Sequence, residues 1–155
     1  MPPLQLMLEG DADVVVTRQF KAPPENVYRA HLEPELICQW MASWPGWTMP
    51  VCETDSREGG AFRFEFDGGE EGAFTTTGEY ITLTPSSLIV HVERMHMPDP
   101  APDSHCHTTF EASETGTLLT LRMSLPDAET RQGMMDMGIA DGMELSYSKL
   151  DEIAS

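Results

Sequence analysis

Three phenylalanines in alternation limit what this chain can fold into. Phe62, Phe64 and Phe66 are interleaved with Arg63, Glu65 and Asp67. A period of two sends the aromatic and charged side chains to opposite faces of a strand. Turn sequences bracket the run, Glu58-Gly59-Gly60 before it and Gly68-Gly69 after it. The same pattern continues to Ser124. Strands are predicted over Trp47–Asp55 (weakened by Pro50), Phe74–Leu83, Leu88–Met95, Cys106–Ala112 and Thr117–Ser124. Pro85-Ser86, a stiff loop from Pro98 to Asp103, and Glu114-Thr115-Gly116 separate them. Short strands with a turn about every ten residues indicate one antiparallel meander.

Upstream, the β-branched run Asp13–Phe20 is a further strand. Pro24 and Pro34 suit the first turns of two short helices, where a missing N–H costs nothing. Those helices carry Val27, Tyr28 and Leu32, then Leu36, Ile37 and Trp40, and Pro45-Gly46 ends the region. Residues 1–12 read either as a loose arm or as an extra edge strand. Downstream, Asp127 is a natural N-cap. Met135, Ile139, Met143, Leu150 and Ile153 then share one helix face with the small residues Gly142 and Ser146. Gly133 and Gly138 weaken this helix, each by about 1 kcal/mol relative to Ala. The order is therefore one strand, two short helices, six strands and one long helix. Such a helix must bury its apolar face against the sheet. The expectation is an α+β fold in which a curved antiparallel sheet wraps a long C-terminal helix.

The 155 residues suit one domain, which can hold a core and still enclose a cavity. Charge narrows the partners. Twenty-six acidic residues against nine basic ones leave a formal net charge of −17. A surface so negative repels phosphate backbones and anionic lipid heads, so nucleic acid is excluded as a partner, and no apolar run is long enough for membrane insertion. Acidity keeps a concentrated protein in solution, and it would also steer a cationic ligand. Cys38, Cys52 and Cys106 are odd in number and widely spaced, which indicates a reducing compartment. With no basic and apolar leader in the sequence, the expected location is cytoplasmic.

Several motifs resemble the START/Bet v 1-like (SRPBCC) helix-grip superfamily, and within it the branch named after the activator of Hsp90 ATPase. Thr17-Arg18-Gln19-Phe20 with Ala22-Pro23 and Glu25-Asn26-Val27-Tyr28 resembles the opening strand and first helix. Pro34-Glu35-Leu36 with Trp40 resembles the second helix, and Glu53-Thr54-Asp55 with Arg57 and Gly59-Gly60 the turn before the third strand. Gly78-Glu79-Tyr80, Gly116-Thr117 with Leu119-Thr120-Leu121, and Gly142-Met143 with Ser146-Tyr147 and Leu150 complete the series. The resemblance runs over roughly residues 13–153. It implies an arm at 1–12 and a single START/Bet v 1-like domain at 13–155. It also implies a cavity between sheet and helix for a hydrophobic or amphipathic small molecule, lipids included. Some members are polyketide cyclases or dehydratases. The namesake joins such a domain to a second, chaperone-contacting one that this chain has no room for. No catalytic residue carries over, because the superfamily shares no catalytic motif.

Candidate ligand-binding residues follow from strand and helix parity. Phe62, Phe64, Phe66, Phe110, Leu119, Leu121 and Met123 alternate to face inward, with Met135, Ile139 and Met143 opposite them on the helix. They form either a packed core or a pocket wall, and methionine suits irregular apolar surfaces. Trp40, Trp44 and Trp47 around Pro45-Gly46 form either an aromatic gate or a cap on the core. Arg94, Arg122 and Glu79, which lies beside Tyr80, are polar anchors if they face inward, and cross-strand ion pairs if they face outward; Tyr80 and Arg94 are taken as the candidate binding residues. His105 and His107 share a strand face around Cys106, with His91 or His96 as a possible third ligand. No CxxC or HExxH spacing supports zinc there, and neither metal nor cofactor is expected. The leading expectation is a binding module for an apolar or amphipathic small molecule, monomeric or homodimeric. The alternatives are a cyclase- or dehydratase-like enzyme using Tyr80, His91 or Arg94, and a chaperone-linked interaction module.

Overall fold

A computed structural model describes residues 4–96 and 103–154. The stiff loop expected from Pro98 lies almost wholly outside the described residues. The elements in chain order are β1 (Gln5–Glu9), β2 (Asp13–Phe20), α1 (Pro24–Ala30), α2 (Pro34–Trp40), β3 (Thr48–Thr54) and β4 (Ala61–Asp67), then β5 (Ala73–Thr84), β6 (Leu88–His96), β7 (Ser104–Ala112), β8 (Thr117–Ser124), α3 (Ala128–Asp136) and α4 (Ile139–Ala154). All eight strands join one antiparallel sheet in the order β1-β2-β8-β7-β6-β5-β4-β3. The result is an α+β helix-grip fold.

The alternation read from β4 holds. Phe62, Phe64 and Phe66 are buried, while Ala61, Arg63 and Asp67 are exposed. Pro24 and Pro34 stand at the helix starts, where no N–H is missed. Pro50 falls where the β3–β4 register slips, between Thr48 and Val51, so its missing donor breaks no regular ladder. Residues Gln5–Glu9 form an edge strand against β2.

Two departures matter for the site. Tyr80 faces His91 but Thr82 faces Val90, so Ile81 is a bulge. The expected long helix is also broken. Asp127 caps it, its Oδ1 accepting from the Thr130 amide at 2.7 Å, but α3 ends at Asp136, with Met137 as its C-cap. Gly138 then takes φ +70° before α4 begins. That left-handed conformation is open to glycine at little cost and disfavoured for other residues.

α4 is bound to the sheet by packing and by one buried polar clasp. Leu150 and Tyr147 are buried, and Tyr147 meets the Phe20 ring edge-on at 5.5 Å. Arg18, 5% exposed on the inner face of β2, donates to Glu144 Oε1 at 3.0 Å and Oε2 at 2.9 Å. Asp151 lies 3.9 Å from the same guanidinium and accepts from the Lys21 and Ala22 amides at 3.0 and 3.2 Å. Burial alone would push the Glu144 carboxyl up. Arg18, the Ser148 hydroxyl and the Leu4 amide outweigh it and hold the pKa down at about 2.

Candidate functional site

A cavity of about 300 Å³ lies between the inner face of the sheet, the α2–β3 connection and α4. Its floor follows from strand parity. β4 and β5 send in Phe62, Phe64 and Phe66, then Phe74, Thr76 and Tyr80; β6 sends in Ile89, His91, Glu93 and Met95; β7 and β8 add Thr108, Leu121 and Met123. Gly78 sits among them because a Cβ there would run into the Val92 carbonyl and the Phe62 ring. The aromatic floor is stacked, Phe62 on Phe64 at 5.1 Å and Phe66 on Phe74 at 4.5 Å.

The roof comes from α1, α2 and α4. Trp40 stacks on Tyr147 at 5.9 Å and donates its Nε1–H to the Ala30 carbonyl at 2.8 Å. Trp44 donates to the Gly142 carbonyl at 2.9 Å, and the Ser146 hydroxyl donates to the Met41 carbonyl at 3.1 Å. These bonds hold the tryptophan segment on α4 and place Met143 at the cavity wall.

Trp40, Phe62, Phe64, Phe66, Tyr80, Leu121 and Met143 therefore line one space. The other candidates lie elsewhere. Phe110 is buried beneath α1, against Tyr28 at 5.5 Å and His31 at 5.2 Å. Leu119 is fully buried in the core. Met135 and Ile139 are half-buried against the core but outside the lining, because the break at Gly138 ends the continuous stripe. Arg94 is not an inward anchor. Odd-numbered residues of β6 face in, so Arg94 lies on the outer face, bonded to Asp103 at 2.8 Å and Glu79 at 3.2 Å. Trp44 lines the cavity, whereas Trp47 bonds to Glu71 outside it. His105 and His107 are exposed, on the face opposite Cys106.

Sequence reasoning named His91 as a pocket acid or base but missed its partners Glu93 and Cys106, which complete the polar corner of this cavity. His91 Nε2 lies 3.0 Å from Glu93 Oε1, and the Cys106 thiol donates to the same oxygen at 3.2 Å. About a third of the Glu93 side chain is accessible (35%), on a residue that lines the cavity. Burial opposes its charge, but the bond and charge of His91 and the Cys106 thiol outweigh it and hold its pKa below the usual carboxylate value. Burial, with the Glu93 charge beside it, pushes the Cys106 thiol up. His31 also lines the cavity; it donates Nδ1–H to the Val27 carbonyl at 2.8 Å. Burial, with His91 nearby, lowers its pKa to about 4 against that bond, so the ring is neutral at pH 7. The corner can accept or donate a proton inside an otherwise apolar chamber.

The profile of the family described as "Activator of Hsp90 ATPase homolog 1-like protein" matches residues 21–155. The chain belongs to this family. Three solved structures show how widely the fold of this Hsp90 ATPase activator homolog-like chain is shared. A Rhodobacter sphaeroides protein is 25% identical, with 98% of this chain and 97% of that one covered and a TM-score of 0.90. A Chromobacterium violaceum protein is 27% identical over 92% and 97%, with a TM-score of 0.75. A Mycobacterium smegmatis protein, 19% identical over 99% and 98% with a TM-score of 0.87, shares the fold. No curated protein matches the chain. Among the described residues, no helix is long and apolar enough to cross a membrane.

Proposed function

We propose that this member of the family binds a small hydrophobic or amphipathic molecule between the sheet and α4, its apolar body on the aromatic floor and a polar group at His91 and Glu93. One observation carries the reading: a chamber of about 300 Å³ walled largely by aromatic and methionine side chains, with the ionisable pair His91–Glu93 in its wall. That size and that distribution of polarity suit small-molecule sites. Native mass spectrometry of the protein purified from its own host tests it. The expected result is a non-covalent adduct of small mass, lost on denaturation. A protein that carries no adduct and binds no environment-sensitive apolar dye saturably refutes it.

The second reading, catalysis of a cyclase or dehydratase type, is favoured by the His91–Glu93 pair. A carboxylate that orients an imidazole inside an apolar chamber is a general-base arrangement. Under this reading Glu93→Gln abolishes turnover of a polyketide-like substrate while dye binding persists. Loss of both together assigns Glu93 to binding alone.

A further inference from the structure

We propose that His91, Glu93 and Cys106 are the three protein ligands of a site for a zinc-class divalent cation, with the fourth position opening into the cavity. The ladder itself builds the set. His91 and Cys106 are direct cross-strand partners on β6 and β7, and Glu93 lies two residues along on the same inner face. One donor atom from each lies within 4.8 Å of the others, with Glu93 Oε1 at 3.0 Å from His91 Nε2 and 3.2 Å from Cys106 Sγ. Tetrahedral zinc, at about 2.0–2.2 Å from nitrogen and oxygen and about 2.3 Å from sulfur, holds its donors about 3.3–3.6 Å apart. Two of the three donor–donor distances therefore lie within a few tenths of an ångström of those in a coordination shell, and the third, between His91 and Cys106, is within 4.8 Å. Among the described residues no other group of three such donors is so gathered.

Charge supplies an independent argument. No Lys or Arg lines the cavity, and Arg94, beside Glu93 in sequence, is committed to the outer face. Arg18, the arginine on the inner face of β2, is held by Glu144 and Asp151, so the partly buried Glu93 carboxylate has no Lys or Arg paired with it in the cavity, and partial burial of a charge is costly without a counter-ion. A divalent ion bound by one thiolate and one carboxylate is electrically neutral. His91 supplies the third donor through Nε2 as a neutral ring, its proton moving to Nδ1. Binding releases the Cys106 proton to solvent. Mixed sulfur, nitrogen and oxygen donors favour zinc over magnesium or calcium. Three protein ligands facing a chamber make the open type of zinc site, which holds water or a substrate oxygen as its fourth ligand.

Cobalt(II) titration of the metal-free protein tests the proposal. The expected result is one equivalent bound per chain, with a thiolate-to-cobalt charge-transfer band in the near ultraviolet. Zinc should displace the cobalt and raise the melting temperature of the wild type. Cys106→Ala should abolish the band, and His91→Ala and Glu93→Gln should each weaken binding at least tenfold. Circular dichroism checks that each variant is folded. His105→Ala and His107→Ala, on the outer face, should change nothing. A wild type that takes up no cobalt in tenfold excess, or uptake that survives Cys106→Ala and vanishes in His107→Ala, overturns the proposal. So does a wild type that refuses the metal but binds an alkylammonium probe through Glu93, which would make the cavity's cation an organic one.

Discussion

Replacing Arg18 with Met keeps an aliphatic stem near the Phe20 ring, over which the guanidinium now lies at 5.1 Å, and removes the charge. Glu144 and Asp151 would then keep their charges without their shared partner. Breaking a buried pair from one side costs about 3–5 kcal/mol. The lower end applies here: 31% of the Glu144 side chain is accessible, and Glu144 retains the Ser148 hydroxyl and the Leu4 amide. The expected loss is about 3 kcal/mol, or roughly 6–12 °C in Tm for a domain of this size. The pH dependence is a second signature. The folded pKa of Glu144, about 2, lies below its ordinary value of 4.5. Its contribution is therefore complete above pH 4.5 and disappears as pH falls towards 2. In the variant, burial without Arg18 raises that pKa, so the acid limb moves to higher pH and the gap to wild type closes at low pH. Urea denaturation of wild type, Arg18→Met, Glu144→Gln and the double variant, from pH 2.5 to 8, gives both the loss and the coupling. A loss under about 1 kcal/mol at pH 7, the size expected of an exposed ion pair, would refute the clasp.

Met143→Trp should leave stability within about 1 kcal/mol and weaken apolar dye binding, since Met143 borders open volume; a solid core would lose about 1–3 kcal/mol from overpacking. Thermal melts and a dye titration distinguish the two. Gly78→Ala should cost about 1–3 kcal/mol in urea denaturation, because the new methyl meets the Val92 backbone as well as the Phe62 ring; an unchanged midpoint would mean that the sheet relaxes freely there. His31 has a folded pKa of about 4, below its ordinary 6.5, so the unfolded chain binds the extra proton and stability should rise with pH between those values. His31→Gln should flatten that rise by about 2–3 kcal/mol in a pH series of denaturation curves, and an unaltered slope would show that another group is responsible.

The strands were legible where alternation is unambiguous. β4 sorts aromatic from charged residues at every step, and Pro24 and Pro34 mark helix starts by their chemistry. β6 was harder to read. Leu88, Val90 and Val92 make the even positions look apolar, yet the sheet turns Ile89, His91, Glu93 and Met95 inward and leaves Arg94 outside. No local feature of Leu88–His96 discloses this, because the parity is fixed across the ladder and the bulge at Ile81 shifts it by one residue. The polar corner was hidden for the same reason: His91 and Cys106 are neighbours only through the β6–β7 register. Phe110 and Leu119 were placed on the correct face, but whether an inward residue meets the cavity or another side chain depends on α1 and α4 packing above it.

The break at Gly138 also divides the molecule in time. α3 has no fully buried residue, whereas α4 contributes Ser146, Tyr147, Leu150 and Asp151 to the interior. Amide hydrogens of α3 should accordingly exchange with solvent through small local openings, and those around Leu150 only with the whole domain. The glycine separates two grades of persistence within what the sequence presents as one helix. It also makes the junction the natural place to lengthen the chain, because added residues there would disturb neither the sheet nor the roof of the cavity.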